Sequence, residues 1–446
     1  MISLYNCPNN IRQGGINMRK RRVLAALMAA AMAAGLLAGC SGAGGEEGKD
    51  SSGKIELEFF TQKREASDTF DKIVEEFNNS QDKIVVTQNI VPDATSVLMS
   101  RAATGDLPDI IQVGGMQDSN TMQFMKEGHF LELTDMECLN NVVDEYKDAI
   151  KFQGKNYVVP ISANFSGVFY NKDMFEEAGY QVPTTYDELI TLAKDIQSKG
   201  EVPFLFPDKD AWTLVQCWED NIDGSARGDR TQVYKDIANG ATTFEDDALF
   251  PSTLQKVVDI RQYGQGDTLS LGYDQAISDF ATGKSYMFMQ GVWALPSIKS
   301  ANPDMNIGMF SFPSDNGDTK VSMGIDVNLA ISADCENPEA AKEFVEFAAS
   351  KDMVQLYVDN DYSVPCMKDV TAKIPEAELI VNMINEGKGV LQATALPKAV
   401  ADERQNTIQK VIVPVEDGGE DIPTFLTNLT KVFQENKDEF LELYGE

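Results

Sequence analysis

The order of strand-like and helix-like segments is the feature that most limits how this chain can fold. Residues 55–60 alternate between polar and apolar side chains as a strand does, and apolar residues then recur at helical spacing over residues 66–77. Residues 84–86 predict a second strand, residues 97–103 a helix and residues 109–113 a third strand. Strands that alternate with helices predict βαβ units, and hence an α/β fold with a mostly parallel sheet and helices on both faces.

Helix starts can also be predicted farther along the chain. Residues 168–170 predict another strand, and Thr185 and Glu188 have the spacing of a capping box at the start of the next helix. Asn337 precedes Pro338, which combines a favoured N-cap residue with proline at the first helical position. We therefore expect a helix to begin after each of these pairs.

The length of the chain predicts more than one hydrophobic core. The sequence has 446 residues, whereas a single core rarely organises more than about 250–300 residues. Two lobes are therefore expected.

An export signal is predicted near the N-terminus. Basic residues 19–22 precede sixteen uncharged residues, 23–38, and small residues then lead to Cys40. This stretch resembles the lipobox of bacterial lipoproteins, so Cys40 is predicted to carry lipid. The alternative, a transmembrane helix, needs about 20 apolar residues, and the stretch is shorter than that. Residues 1–17 match no part of the signal, which leaves Met1 and Met18 as alternative starts.

The sequence after the predicted cleavage point is that of a tethered, strongly acidic protein. Residues 40–53 contain five glycines, three serines and no large apolar residue, which is typical of a flexible linker. Removal of residues 1–39 leaves 33 basic and 70 acidic residues, a formal charge of −37. Because such a surface repels nucleic acid and anionic headgroups, we expect no nucleic-acid partner and attachment to the membrane through lipid alone.

The cysteines and the single histidine do not support a metal site. Cys138, Cys217, Cys335 and Cys366 lie far apart without C-x-x-C spacing, and His129 is the one histidine of the chain. We therefore expect no metal ligands. Because an oxidising exterior permits disulfides, the four thiols are expected either to include a bridge or to be buried and free.

Three motifs together carry a family resemblance. They are GDLPDII (residues 105–111), GKNYVVP (residues 154–160) with VFYNKDMF and PTTYDEL after it, and FATGKSYMFMQGVW (residues 280–293). In this order, behind a lipobox, they make the chain similar to the family 1 extracellular solute-binding proteins, the sugar- and oligosaccharide-capturing subunits of ABC importers.

The resemblance implies a two-lobed periplasmic-binding-protein-like fold of type II, with hinge-linked lobes and a ligand cleft between them. It implies residues 54–163 plus 325–370 as lobe 1 and residues 164–324 plus 371–446 as lobe 2. It also implies a monomer on the extracellular face of the bacterial plasma membrane that delivers carbohydrate to the permease subunits of an ABC transporter, without a cofactor.

Loops that follow strands are the first candidates for the binding site, because ligands of parallel α/β sheets bind at the carboxyl ends of the strands. The resemblance puts Gln62 in the loop after the first strand. After the third strand, Gly115 would let a ligand approach the backbone or would simply form a tight turn. Gln117 and Asp118 follow it and would bond either sugar hydroxyls or water.

Aromatic residues are expected because their flat rings cover the C–H faces of sugars. In the resembling family, the tryptophan of the Gly-x-Trp motif lies on the sugar, which implies this role for Trp293; the alternative is a core tryptophan. Trp212 and Trp218 are six residues apart, so only one is expected in the cleft, and Trp212 is nearer the loop. The resemblance also places Asn164 and Phe165 at the first crossing between the lobes.

Two carboxylates complete the candidate set. Asp274 lies just before a predicted helix and would either bind ligand or cap that helix. Asp326 interrupts an apolar strand, so it needs a partner, and a sugar hydroxyl is one of several candidates. Residues 392–397 lack the aromatic residue that the family often has in this region.

The predicted function is capture of a sugar or oligosaccharide without chemistry. The sequence has neither a G-x-S-x-G element nor a G-x-x-x-x-G-K-[ST] loop, so nucleophilic and phosphoryl-transfer chemistry are poorly supported. The alternative function is a surface-anchored glycoside hydrolase, since such an enzyme also needs carboxylates and aromatic rings.

Overall fold

The computed structural model describes residues 53–91 and 94–445. The predicted signal, the lipidation of Cys40 and the linker as far as Ser52 therefore lie outside the described residues.

Strands form the framework of the fold. In chain order they are β1 (Ile55–Thr61), β2 (Ile84–Ile90), β3 (Ile110–Val113), β4 (Lys151–Phe152), β5 (Lys155–Asn156), β6 (Val159–Asn171), β7 (Phe204–Leu205), β8 (Met287–Gly291), β9 (Ile307–Phe310), β10 (Val321–Ile331), β11 (Val364–Pro365) and β12 (Gly389–Leu391). Strands β4 and β5 form a separate hairpin, and the others belong to one sheet.

Helices connect and cover the strands. They are α1 (Ser67–Ser80), α2 (Ala94–Thr104), α3 (Ser119–Lys126), α4 (Asp144–Lys147), α5 (Lys172–Ala178), α6 (Tyr186–Ser198), α7 (Ala211–Gln216), α8 (Gly224–Arg227), α9 (Thr231–Ala238), α10 (Phe250–Ile260), α11 (Tyr273–Ala281), α12 (Leu295–Ala301), α13 (Pro338–Ala348), α14 (Lys351–Asp361), α15 (Glu378–Met383), α16 (Lys398–Thr407) and α17 (Ile422–Tyr444). Among the described residues, none of the helices is long and apolar enough to span a bilayer.

The large sheet is mixed, so the prediction of a mostly parallel sheet was wrong although the α/β class is confirmed. Its main order is β2-β1-β3-β10-β6-β8-β7. Strand β1 is parallel to β2 and β3, as the alternation of strands and helices predicts. Strand β10 returns from far along the chain, inserts between β3 and β6 and runs antiparallel to both. Local sequence patterns carry no information about this long-range pairing.

The long strands β6 and β10 connect separate hydrophobic clusters. The first cluster contains Ile161 of β6 and Val327 of β10, together with α1 and α13. The second and third clusters contain Val168 and Phe169 of β6, and the third also contains Met323 of β10. The predicted strand at residues 168–170 is therefore the end of one continuous strand that begins at Val159. The lobe limits given above stay a prediction.

Local capping agrees only partly with the predicted patterns. The Thr185 hydroxyl accepts a hydrogen bond from the Glu188 backbone N–H (3.3 Å), but the Glu188 carboxylate accepts from Thr184 (2.8 Å) instead of completing the box at Thr185. Asn337 occupies the N-cap position of α13, yet its side chain makes no capping bond. Both helices nevertheless begin at the expected places.

The four described cysteines are free thiols. Cys138, Cys217 and Cys366 are buried, and Cys335 is half-buried. The sequence left open whether these thiols include a disulfide bridge or are free. In the structure they are free, and three of the four are buried. Burial raises the pKa of the Cys217 thiol, so a smaller fraction of it is present as the reactive thiolate.

Candidate binding cleft

Three adjoining cavities lie where the loops after β1 and β3 face helices α7 and α11. The outer cavity has a volume of about 770 Å³ and includes Tyr273 and Trp293 in its lining. The inner chamber has a volume of about 340 Å³ and includes Gln216. The lateral cavity has a volume of about 260 Å³ and includes Thr95. Because Asp326 lines all three, they meet at this carboxylate.

Nine of the ten residues predicted at the cleft line these cavities. The outer cavity includes Gln62, Asn164, Trp212, Asp274, Trp293 and Asp326, and the inner chamber includes Gly115, Gln117 and Asp118 as well as Asn164, Trp212 and Asp326. The structure thus brings together residues that are up to 264 positions apart in the chain.

Phe165 is the exception, and this prediction requires correction. Its side chain is fully buried in the third hydrophobic cluster and lines none of the three cavities. Successive side chains of a strand point to opposite faces. Because Asn164 of β6 faces the cavities, Phe165 next to it faces the core.

The aromatic lining comes from two separate elements. Trp293 is half-buried in a short turn, Val292–Ala294, that leads into α12, and it packs partly against the third cluster. A Cβ atom on Gly291 would lie 2.0 Å from Cζ3 of Trp293, so only glycine allows the indole its present position. Across the cavity, Trp212 is 38% exposed and its ring meets Tyr273 edge-on, with centroids 4.9 Å apart.

Trp218 occupies a different environment from Trp212. Its side chain is fully buried, and its Nε1–H donates to the Thr253 hydroxyl at 3.0 Å. It packs edge-on against Phe250 and Phe425 in the second cluster. Of this pair, therefore, only Trp212 lines the cleft.

The amide of Gln62 is held by its neighbours. Its backbone N–H donates to Oε1 of Gln112 (3.0 Å), and its Nε2 donates to the Gln112 carbonyl (3.1 Å). The Thr95 hydroxyl donates to its Oε1 at 3.1 Å. The loop after β1 is thereby fixed to β3, and the side chain is oriented before any ligand arrives.

The residues after β3 make structural contacts that the sequence did not predict. A Cβ on Gly115 would lie 2.4 Å from the Ile325 carbonyl, so this glycine permits close packing against β10. Gln117 donates to the same carbonyl at 3.0 Å. Asp118 accepts from the Thr121 N–H at 2.7 Å and caps α3. All three still line the inner chamber.

Asp274 does not cap its helix, which was one of the two roles that the sequence left open for it. It is the second residue of α11, whose N-cap is Gly272, and its side chain is exposed in the outer cavity. The backbone N–H of Tyr273 instead donates to Asp210 at 2.7 Å. The Asp274 carboxylate therefore remains directed to the cavity.

Asp326 has a partner within the protein. Its carboxylate forms an ion pair with the buried Lys63 ammonium, which also bonds Asp361 at 2.9 Å. Burial alone would lower the pKa of Lys63, but Asp326 and Asp361 outweigh burial and raise it well above its usual value. Burial raises the pKa of Asp361 to about 6 in spite of Lys63. Lys63 is therefore a fixed cation beneath the point where the cavities meet.

Several cleft residues were missed by sequence reasoning. Tyr273 lines the outer cavity, and Glu219, Arg230 and Arg404 line the inner chamber. Tyr273 directly precedes Asp274, so an aromatic residue at that loop was a usable signal. Arg404 lies on α16, far from any motif, and no local pattern indicates its position.

Comparisons with known proteins identify similar sugar-binding proteins. A model of the family described as bacterial extracellular solute-binding protein matches residues 62–355. The multiple sugar-binding protein of Streptococcus mutans serotype c is 33% identical over 341 residues, which cover 75% of this chain and 80% of that protein. The melibiose/raffinose/stachyose-binding protein MelE of Bacillus subtilis is 24% identical over 295 residues, which cover 63% and 67%.

Solved structures show the same architecture. The solute-binding protein RafE in complex with raffinose superposes with a TM-score of 0.71 at 26% identity, covering 86% of this chain and all of that one. The apo form of RafE from Streptococcus pneumoniae gives a TM-score of 0.65 at 26% identity, with 87% of this chain covered. With a family model that spans more than half of its length and a two-lobed type II fold, the chain belongs to the bacterial extracellular solute-binding protein family.

Proposed function

We propose that the protein captures a neutral sugar or oligosaccharide in this cleft and delivers it unchanged to an ABC import permease. The outer cavity carries the proposal, because Trp212, Tyr273 and Trp293 line it together with amide and carboxylate groups. Aromatic faces cover the C–H faces of sugar rings. Amides and carboxylates accept from hydroxyls, and amides also donate to them.

The relatives support a carbohydrate ligand. The Streptococcus mutans protein is a multiple sugar-binding protein, and RafE has been solved with raffinose. The acidic composition, with 70 acidic against 38 basic residues in the whole chain, also favours an uncharged ligand over an anionic one.

The sugar leaves the cleft unaltered under this proposal. Hydrolysis of a glycosidic bond needs one carboxylic acid that donates a proton and a second carboxylate on the other side of the bond. In this cleft, Asp326 is ion-paired with Lys63, Glu219 with Arg404, and Asp210 accepts from a backbone N–H. These three carboxylates are held as acceptors, which suits binding. Asp274 is exposed in the outer cavity, and burial raises the pKa of Glu65 beside it, so recovery of the intact sugar after binding is what separates capture from hydrolysis.

Lobe limits, anchoring and location belong to the same proposal. The first cluster draws on residues 57–163 and 325–367 with Ala395, and the other two draw on residues 165–323 and 374–440. This distribution supports lobes that meet at β6 and β10, where hinge motion would close the cleft. The extracellular family supports a position outside the plasma membrane, and the lipobox-like sequence that ends at Cys40 supports the lipid anchor. A monomeric state is proposed with them.

A thermal-shift screen tests the proposal. Mono- and oligosaccharides added in large excess are expected to raise the melting temperature, because a ligand that binds only the folded state stabilises it by about 2.7 kcal/mol at 100 times its Kd. Sulfated or uronic sugars at low salt serve as the control and are expected to give no shift. Stabilisation by the anionic sugars alone would contradict the proposal.

Replacing Gly291 with alanine is expected to weaken sugar binding without touching a polar group. The new Cβ would lie 2.0 Å from the Trp293 ring, so the indole must move. We expect at least a threefold loss of affinity, about 0.65 kcal/mol, measured by titration calorimetry. Gly308→Ala is the matched control, because its Cβ would lie 2.2 Å from the ring of Tyr170 and neither residue lines the three cavities. Equal losses in both variants would contradict the assigned role of the indole.

A further inference from the structure

We propose that Lys63 is a positioning residue for ligand binding, and that its ammonium holds the Asp326 carboxylate in the cleft as a fixed acceptor for a ligand hydroxyl. The inference rests on the proposed function and adds to it a residue that acts through another. Lys63 is 7% exposed, and it lines neither the outer cavity nor the inner chamber. Its influence on a ligand in those two cavities therefore passes through Asp326, which lines both.

A β-bulge directs Asp326 into the cleft. Between Ile325 and Val327, the pairing of β10 with β6 advances two residues on β10 but only one on β6, so Asp326 is the extra residue. Bulges re-aim side chains and are frequent next to active sites. Ile325 and Val327 are buried, whereas the Asp326 side chain keeps 21% of its surface exposed and lines all three cavities. The backbone thus singles out this carboxylate for contact with a ligand.

The Lys63 ammonium fixes the orientation of the Asp326 carboxylate. It forms one ion pair with Asp326 and another, at 2.9 Å, with Asp361, which is the last residue of α14. The ring of Tyr357 lies beside it, with the ring centroid 5.9 Å from Nζ. The ammonium is therefore held between β10 and α14. Because Asp326 is oriented before a ligand arrives, binding costs less conformational entropy.

The same ammonium determines what Asp326 can bind. Lys63 is surrounded by three carboxyl groups, those of Asp326, Asp361 and Glu65, and by the hydroxyl of Tyr357. A ligand cation bonded to Asp326 would lie close to the Lys63 ammonium, and like charges at such distances repel one another. A hydroxyl donates to the carboxylate without adding a charge. Lys63 therefore makes Asp326 an acceptor for a neutral donor.

The lateral cavity gives direct access to this ammonium. Both Lys63 and Asp326 line it, and its volume of about 260 Å³ is several times the roughly 30 Å³ that one water occupies in the liquid. Lys63→Ala removes the side chain beyond Cβ, and propylammonium has the same carbon chain and the same ammonium group. A small amine can therefore enter the lateral cavity and take the position of the missing atoms.

Chemical rescue tests the inference. The probe is the neutral saccharide that gives the largest shift in the thermal-shift screen, which includes raffinose, stachyose and maltotriose, and titration calorimetry measures its affinity. Lys63→Ala is expected to lower this affinity at least about fivefold, and added propylammonium is expected to restore it to within about twofold of the unmodified protein. Sodium or tetramethylammonium chloride at the same ionic strength is expected to restore nothing, because neither cation supplies an N–H donor.

Lys299→Ala is the matched control for Lys63→Ala. The Lys299 ammonium is ion-paired with Glu376 and lies 5.8 Å from the ring centroid of Tyr362, yet Lys299 lines none of the three cavities. This variant is expected to keep the affinity of the unmodified protein and to show no response to propylammonium. Melting temperatures of the ligand-free variants set a temperature at which each variant is folded.

A second pair of variants tests the inference with Lys63 in place, and it decides the outcome if Lys63→Ala does not fold. Asp326→Asn is expected to lower the affinity at least about fivefold. Asp361→Asn leaves the ion pair of Lys63 with Asp326 intact, so it is expected to change the affinity by less than about twofold.

Three results would overturn this inference and leave sugar capture standing. They are an unchanged affinity in Asp326→Asn, equal losses in Asp326→Asn and Asp361→Asn, and a loss in folded Lys63→Ala that propylammonium does not reverse. Failure of the unmodified protein to bind any neutral saccharide of the screen would overturn the proposed function and this inference with it.

Discussion

Replacing Lys63 with methionine is expected to lower the free energy of unfolding by about 3–5 kcal/mol near neutral pH. Lys63 is buried, and its ammonium is bonded to both Asp326 and Asp361. Methionine retains much of the aliphatic stem but leaves two carboxylates facing each other, with Asp361 fully enclosed. Unfolding in urea, followed by circular dichroism, measures the change.

The loss is expected to shrink as the pH falls. The pKa of Asp361 is about 6 in the folded protein and 3.8 as an isolated group. Because the folded state holds this proton more tightly, the group's contribution to stability increases as the pH falls through about 6 toward that lower value. Without Lys63, the attraction that lowers the pKa of Asp361 is lost, so this pKa rises further and protonation of Asp361 relieves its repulsion with Asp326. Glu65 also faces this cluster, and because burial raises its pKa it adds to the same trend, whereas Tyr357 stays neutral throughout this pH range.

Lys72→Met is the control for this experiment. Lys72 is exposed on α1 in the same region of the chain, so its replacement is expected to change stability by less than about 0.5 kcal/mol. If Lys63→Met proved as stable as Lys72→Met, or if its loss grew on acidification, the Lys63–Asp326–Asp361 arrangement would not have the energetic role assigned to it.

Replacing Trp293 with alanine is expected to weaken sugar binding at least tenfold, about 1.4 kcal/mol. The indole lines the outer cavity and is only half-buried, so much of its surface is available to a ligand. Titration calorimetry measures the affinity, and the melting temperature of the ligand-free protein is expected to change little.

Trp218→Ala is the matched comparison for Trp293→Ala. Trp218 is fully buried and bonded to Thr253, so its loss is expected to cost about 3–5 kcal/mol of stability. Trp293→Ala should therefore lower the affinity with little change in melting temperature, whereas Trp218→Ala should lower the melting temperature. A large loss of ligand-free stability in Trp293→Ala with normal affinity would make Trp293 a core residue.

Local patterns predicted those parts of the fold that depend on neighbouring residues. Phe70, Ile73 and Phe77 recur at helical spacing, and the structure buries all three on one face of α1. By contrast, the insertion of β10 between β3 and β6 depends on pairing across more than 150 residues. This pairing leaves no local pattern, and it is what makes the sheet mixed.

In the candidate site too, local motifs could be read from the sequence, whereas contacts made by the fold could not. Asn164 and Trp212 could be named because they lie in or near motifs, whereas Phe165 was misassigned because its strand position, not its neighbourhood in sequence, decides which face it occupies. The partner of Asp326 also could not be predicted from the sequence, because Lys63 is 263 residues away along the chain. The sequence indicated that this carboxylate needed a partner, and the fold supplied it.

Titration of the purified protein with the neutral saccharide that gives the largest thermal shift, followed by chromatography of the recovered sugar, tests the central claim most directly. We expect saturable binding at one site per chain and complete recovery of the intact sugar after long incubation. Release of shorter sugars would contradict capture without chemistry, and the absence of binding to every neutral saccharide would contradict the assignment of the cleft.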